Sequence, residues 1–205
     1  VANSTPKVVD VYGPDAEYVY IGYRLPGAGT REAALLSLTD LLLSNSSAGL
    51  IDLNLVKSQK VLGASSSPNI MQDYSVHMFT GKAKEGQSLE EVRDLLLAEL
   101  DKIRKGDFDF EMVKSIVANN KVSQMRQFED NSGRAYTLLN YYTLGVDYAK
   151  GLTENDLMLS FTKQEIIDFV NRFYTNDYVI CYKHKGKDST IQKIEKPQIT
   201  KVEVN

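Results

Sequence analysis

The sequence predicts a two-layer α+β domain, and three observations carry that prediction. Strand-like alternation is concentrated between residues 7 and 80. From Ser88 the apolar spacing becomes helical and stays so until Phe173. One further apolar strand-like run, residues 177–183, then closes the pattern. Strands first, a block of helices and a single returning strand make an α+β layering rather than an alternating α/β one. A chain of 205 residues that is 42% hydrophobic suffices for one ordinary core, because a chain of this length can bury roughly 70% of its unfolded surface.

Residues 7–12 alternate weakly and read as the first strand, ended by the turn cluster Gly13-Pro14-Asp15. Residues 17–25 form the second, with the run Tyr18-Val-Tyr-Ile-Gly-Tyr-Arg-Leu25. The chain then turns at Pro26-Gly-Ala-Gly29. Thr30 is placed to cap a helix over residues 31–43, since its hydroxyl can accept an unpaired amide of the first turn. That helix is apolar nearly all round (Ala33, Ala34, Leu35, Leu36, Leu38, Leu41, Leu42, Leu43), the pattern of a helix buried between layers. Its two acids, Glu32 and Asp40, read as a first-turn charge and an exposed position. After the break at Ser44-Asn-Ser-Ser47, a short helix runs into a third strand over residues 60–65, and Ser65-Ser-Ser-Pro-Asn69 reads as a loop.

Residues 71–80 set Tyr74, Val76 and Met78 against Asp73, Ser75 and His77, a half-exposed antiparallel strand with His77 on its solvated side. Ser88-Leu-Glu-Glu91 is a capping box, and Leu89, Val92, Leu96, Leu100 and Ile103 then form one stripe closed by Lys105-Gly106. A helix over 109–129 buries Val113, Ile116, Val117, Met125 and Phe128. Another, over 132–144, is rich in tyrosine: Tyr136, Tyr141 and Tyr142 either pack or face a peptide chamber, and packing is the favoured reading. A short segment spans 152–159. Thr162-Lys-Gln-Glu165 is a second capping box, opening a helix that buries Ile166, Ile167, Val170 and Phe173.

Several function classes fall away on composition. A net charge of −3 leaves no basic surface for nucleic acid. One cysteine, Cys181, excludes an internal disulfide and a multi-thiolate metal site, and its apolar strand makes it a small core residue. No apolar run approaches the roughly 20 residues of a membrane span. Gly27-Ala-Gly29 lacks the Lys-Ser/Thr of a phosphate loop and the third glycine of a dinucleotide fingerprint, so it is a plain strand-to-helix turn. Ser65, Ser66 and Ser67 have no histidine close in sequence to activate them. His184 stands among Lys183, Lys185 and Lys187, a poor place for a cation. The start at Val1 and the polar 185–205 tail with Pro197 suggest one domain over residues 1–187 and a linker over 188–205, excised from a longer polypeptide.

Strand, glycine turn, buried helix and the run Gly49-Leu-Ile…Leu53-Asn-Leu-Val-Lys57…Val61-Leu-Gly63 together resemble one domain of the insulinase/pitrilysin zinc metallopeptidases, which include insulin-degrading enzymes and mitochondrial processing peptidases. The likeness continues through Gly86-Gln-Ser-Leu-Glu-Glu91, Lys105-Gly-Asp-Phe-Asp109, Leu159-Ser-Phe-Thr-Lys-Gln-Glu165 and Tyr178-Val-Ile-Cys-Tyr-Lys183. It implies a mixed, mostly antiparallel sheet with several helices on one face, a LuxS/processing-peptidase-like fold.

Catalytic members of that family place His-x-x-Glu-His on one helix, two imidazoles holding zinc and a carboxylate activating its water. The corresponding helix here, residues 31–43, has no histidine, and the chain's two, His77 and His184, lie in no such motif. The resemblance therefore implies a domain with no catalytic residue and no metal ligand, its zinc belonging to another domain of the parent chain. It further implies an Arg/Tyr pair that contacts bound peptide. The matching positions are Lys57 and Ala64, which keep a charge but lose the guanidinium fork and the phenol.

The leading expectation is thus an inactive domain of a multi-domain zinc metalloendopeptidase. It packs against the catalytic domain and forms part of the peptide chamber, with other domains of the same polypeptide and a peptide substrate as partners. Periplasm or cell envelope suits a bacterial member. The alternative from another class is a catalytically dead scaffold subunit of the same superfamily, and a third reading is an unrelated α+β binding domain.

Overall fold

A computed structural model describes residues 5–187. Its elements are β1 Lys7–Gly13, β2 Tyr18–Pro26, α1 Arg31–Leu43, a π-helical turn Asp52–Lys57, β3 Gly63–Ile70, β4 Tyr74–Lys82, α2 Leu89–Lys105, α3 Met112–Glu129, α4 Asn131–Leu144, α5 Tyr148–Leu152, α6 Glu154–Ser160, α7 Lys163–Phe173 and β5 Tyr178–Lys185. The sheet order is β1-β5-β2-β4-β3, with only β1 and β5 parallel. This is the mixed α+β sheet the sequence predicts. The expected linker over 188–205 lies outside the described residues.

β2 turns Val19, Ile21, Tyr23 and Leu25 toward the helices and leaves Tyr20 and Arg24 on the open face, the two-residue period of a pleated strand. α1 follows at once. Thr30 Oγ1 accepts from the Ala33 amide at 3.1 Å and donates to the Gly27 carbonyl at 2.7 Å, which fixes both turn and cap. α1 lies on β2, β3 and β4 and is flanked by α3, α6 and α7, so almost every side chain in it is covered.

The break after α1 is organised by Asp52. Its buried carboxylate accepts from the amides of Asn45 (2.8 Å) and Gly49 (3.2 Å), donors that would otherwise be orphaned. α2 buries the predicted Leu89-to-Ile103 stripe and ends at Gly106, whose φ of 75° is the left-handed C-cap conformation. Ser88 supplies its half of the first box, accepting from Glu91 N; both halves of the Thr162–Glu165 box are made.

Several expectations need correction. The third strand begins at Gly63 and runs to Ile70, through residues that read as a loop. Proline is tolerated there because β3 is an edge, where Pro68 needs no N–H for the ladder. β4 has the opposite phase to the expected one: Ser75 and His77 point into the core while Tyr74 and Met78 are exposed. Met125 is 69% exposed rather than buried. Cys181 is half-buried, since Ile180 and Tyr182 take the inward positions of β5. The 152–159 segment is two short helices, α5 and α6.

Candidate functional site

Burial turns His77 from a solvated residue into the centre of a polar chain. It is 0% exposed. Its Nε2 lies 3.0 Å from Asp40 Oδ1, and its Nδ1 lies 2.6 Å from the Tyr174 hydroxyl. Ser66 donates to the same Asp40 oxygen at 2.6 Å. Asp40, expected at the surface, is therefore buried and accepts from two donors. Burial pushes the Tyr174 hydroxyl well above its ordinary range, with the Asp40 charge adding to it, so Tyr174 keeps its proton and donates to Nδ1. His77 then carries a hydrogen on Nε2, directed at Asp40, and both ring nitrogens are matched.

This order of contacts is not that of a nucleophile. The carboxylate sits between serine and histidine, so Ser66 bonds to Asp40 rather than to the imidazole that would activate it, and the chain is buried beneath α1. It ties the buried helix to β3, β4 and the residue after α7. A signal existed in the sequence: Asp40 follows Leu38-Thr39 and precedes Leu41-Leu42-Leu43 in a helix that is apolar nearly all round, and an acid buried in such a helix needs partners.

Among the described residues no three His, Cys, Asp or Glu side chains converge. His184 instead stacks on Tyr12 and reaches Asp10 Oδ1 at 2.7 Å.

Lys57 and Ala64 fall at two ends of one surface. Lys57 is the last residue of the π-helical turn, is exposed, and donates to the Ser47 carbonyl at 2.5 Å. Ala64 is the second residue of β3, half-buried against the core. Between them Leu62 is 65% exposed, and its amide reaches the Lys82 carbonyl that Gly63 already opposes, a bulge at the start of the edge strand. The Met71 amide bonds to the Tyr74 carbonyl at 3.2 Å, which sets the parity of the hairpin. By the alternation of an antiparallel ladder, Ala64, Ser66, Pro68 and Ile70 turn their main-chain groups away from β4, to the open edge. That edge offers three amides and four carbonyls, with no donor at Pro68.

The tyrosines of α4 do not pack as expected. No residue of α4 is buried; Tyr136 is 69% and Tyr142 84% exposed, and only Tyr141 is half-covered.

Geometry and sequence together define an α+β domain, and comparison with known proteins gives its family. The family described as the peptidase M16 inactive domain matches residues 2–120, and the chain belongs to it. A Helicobacter pylori protein named zinc protease PqqE is 24% identical over 172 residues, 83% of this chain and 37% of that protein. Among solved structures, a protease from Helicobacter pylori superposes with a TM-score of 0.82 at 18% identity, covering 89% of this chain and 45% of that one. A peptidase M16 inactive domain from Pseudomonas fluorescens gives 0.76 at 11% identity, over 90% and 44%. The periplasmic protease PqqL from Escherichia coli gives 0.67 at 13% identity, over 90% and 22%. The chain thus spans less than half the length of these relatives.

Proposed function

We propose that this domain packs against the zinc-bearing domain of a multi-domain metalloendopeptidase and forms part of the wall of its peptide chamber. The observation that carries the reading is the uncovered apolar surface of α4. It presents Tyr136, Leu138, Leu139 and Tyr142 to solvent, with Val122 and Met125 of α3 also exposed. A helix with no buried side chain and that many large apolar ones gains its burial from another surface. β1 is alike: Val8, Val9, Val11 and Tyr12 are exposed on both sides of the strand.

Hydrolysis then belongs to zinc-bound water in the parent chain, and this domain contributes binding. An extended peptide adds to the open edge of β3 through main-chain hydrogen bonds, which give affinity with little sequence preference. Lys57 and the exposed Leu62 lie beside that edge. A periplasmic or cell-envelope setting, as described for the Escherichia coli protein, suits the same reading.

The test is zinc content and peptide cleavage by the full-length polypeptide. One zinc per chain and cleavage are expected, and Lys57→Ala should raise KM about two- to fivefold with kcat unchanged, the size of an exposed ionic contact. A zinc-free, inactive product would refute it. That outcome would leave the scaffold reading, which the loss of the Arg/Tyr pair at Lys57 and Ala64 favours.

A further inference from the structure

A cavity of about 390 Å³ lies between α1, the β3 strand and the α4–α6 segment. Its size falls within the range of ligand pockets, roughly 300–1,000 Å³. The space exists because α1 presents only Ala33, Ala34 and Ser37 there, while Tyr141 is drawn aside to lie against Gly151.

One lining group is out of keeping with these walls. Glu154, the first residue of α6, is half-buried, and that burial raises its pKa. Among the described residues its carboxylate accepts one hydrogen bond, from Ser37 Oγ at 3.3 Å, and Ser37 also lies 3.2 Å from the Ala33 carbonyl, so the single hydroxyl proton is divided between two acceptors. Among the described residues no lysine, arginine or histidine forms an ion pair with Glu154. Lys150 lines the same cavity but turns its ammonium to the Gly29 carbonyl, 3.5 Å away, rather than to Glu154. A carboxylate that has lost water without gaining a cation is a site for one.

The cavity also adjoins the edge of β3, since Pro68 and Ile70 line it. These are residues whose main-chain groups face outward. A chain added along that edge alternates its side chains between the two faces of the sheet, and those on the helix side enter this space.

We propose that the cavity takes a lysine or arginine side chain of an extended peptide, with Glu154 as its counter-ion. The β3-edge part of this rests on the chamber-wall reading; the pocket itself does not. Apolar surface from Ile70, Leu144 and Leu157 would cover the methylenes of the guest, and Glu154 would meet its charged head.

Two probes separate pocket from edge, used on the full-length polypeptide with a zinc chelator present so that peptide is not consumed. The first is acetyl-arginine-amide against acetyl-citrulline-amide, which is isosteric and uncharged. The second is an alanine pentapeptide with arginine or citrulline at its centre. Arginine should bind at least about tenfold more tightly than citrulline in both formats, as expected of a hydrogen bond to a charged partner. Glu154→Gln should abolish the difference without weakening citrulline binding. Pentapeptide binding without preference for arginine overturns the pocket and leaves the edge standing. Selective binding of the small amide but no gain from the pentapeptide keeps the pocket and overturns its link to the edge. Absence of binding by either probe overturns both.

Discussion

Replacing Asp40 with alanine tests whether the buried polar chain holds α1 to the sheet. The carboxylate accepts from Ser66 Oγ and His77 Nε2, and both donors are shielded from solvent. Each orphaned donor costs about 1–3 kcal/mol, so Asp40→Ala should cost roughly 2–6 kcal/mol of a domain stability of about 5–15 kcal/mol. Tyr174→Phe removes the one donor to His77 Nδ1 and should cost about 1–3 kcal/mol. Adding Ser66→Ala to Asp40→Ala should recover part of the loss, because that orphan goes with its partner. The assay is urea unfolding followed by circular dichroism, with an unchanged m-value showing that only stability has moved. An Asp40→Ala cost below about 1 kcal/mol, or simple additivity with Ser66→Ala, would refute the account.

Thr39 Oγ1 is buried without a hydrogen-bond partner among the described residues; Thr39→Val, near in shape, should leave stability unchanged or raise it by about 1 kcal/mol in the same unfolding assay. Gly27→Ala should destabilise by about 1–3 kcal/mol or more, because a Cβ there would stand 2.2 Å from the Gln72 carbonyl oxygen, a backbone atom that cannot swing away. The Glu165 carboxyl is held down to about 2 by the Thr162 amide first and the Arg31 guanidinium second. A depressed pKa contributes stability above the ordinary value of 4.5 that is lost as pH falls toward about 2. Melting temperature should accordingly drop across that acid window, and Glu165→Gln should flatten the drop.

What was legible in the sequence was whatever local chemistry decides. The α1 span, its Thr30 cap and the Gly106 stop depend on hydrogen bonds within a few residues, and they stand as read. β3 and β4 were misread for a common reason. Ser66, Ser75 and His77 look solvated beside their neighbours, yet the partners that let Ser66 and His77 turn inward are Asp40, 26 and 37 residues away, and Tyr174, 97 residues from His77. A local alternation reports which residues differ, not which of two faces is the core. The apolar set Tyr74, Val76 and Met78 went to the open face because the inward one already held its polar partners.

α4 was misread for a different reason, and that reason bears on function. Its tyrosines were expected to pack, as large aromatic residues on a helix ordinarily do, but α3 and α5 are its main neighbours and leave Tyr136 and Tyr142 bare. Fully covering a large apolar side chain is worth about 1.5–3 kcal/mol. Tyr136, Leu138, Leu139 and Tyr142 are already partly covered, so together they hold roughly 4–8 kcal/mol of unspent burial, before the entropy of ordering two surfaces is subtracted. That is comparable with the net stability of a whole domain. The expected packing of Tyr136 and Tyr142 is thus not met among the described residues, which leaves that surface open to a partner outside this domain. On the proposed reading, the partner is supplied by the part of the polypeptide that carries the zinc, and polar replacements at Leu139 and Tyr142 should leave this domain's own unfolding within about 0.5 kcal/mol of wild type while weakening its hold on the rest of the chain.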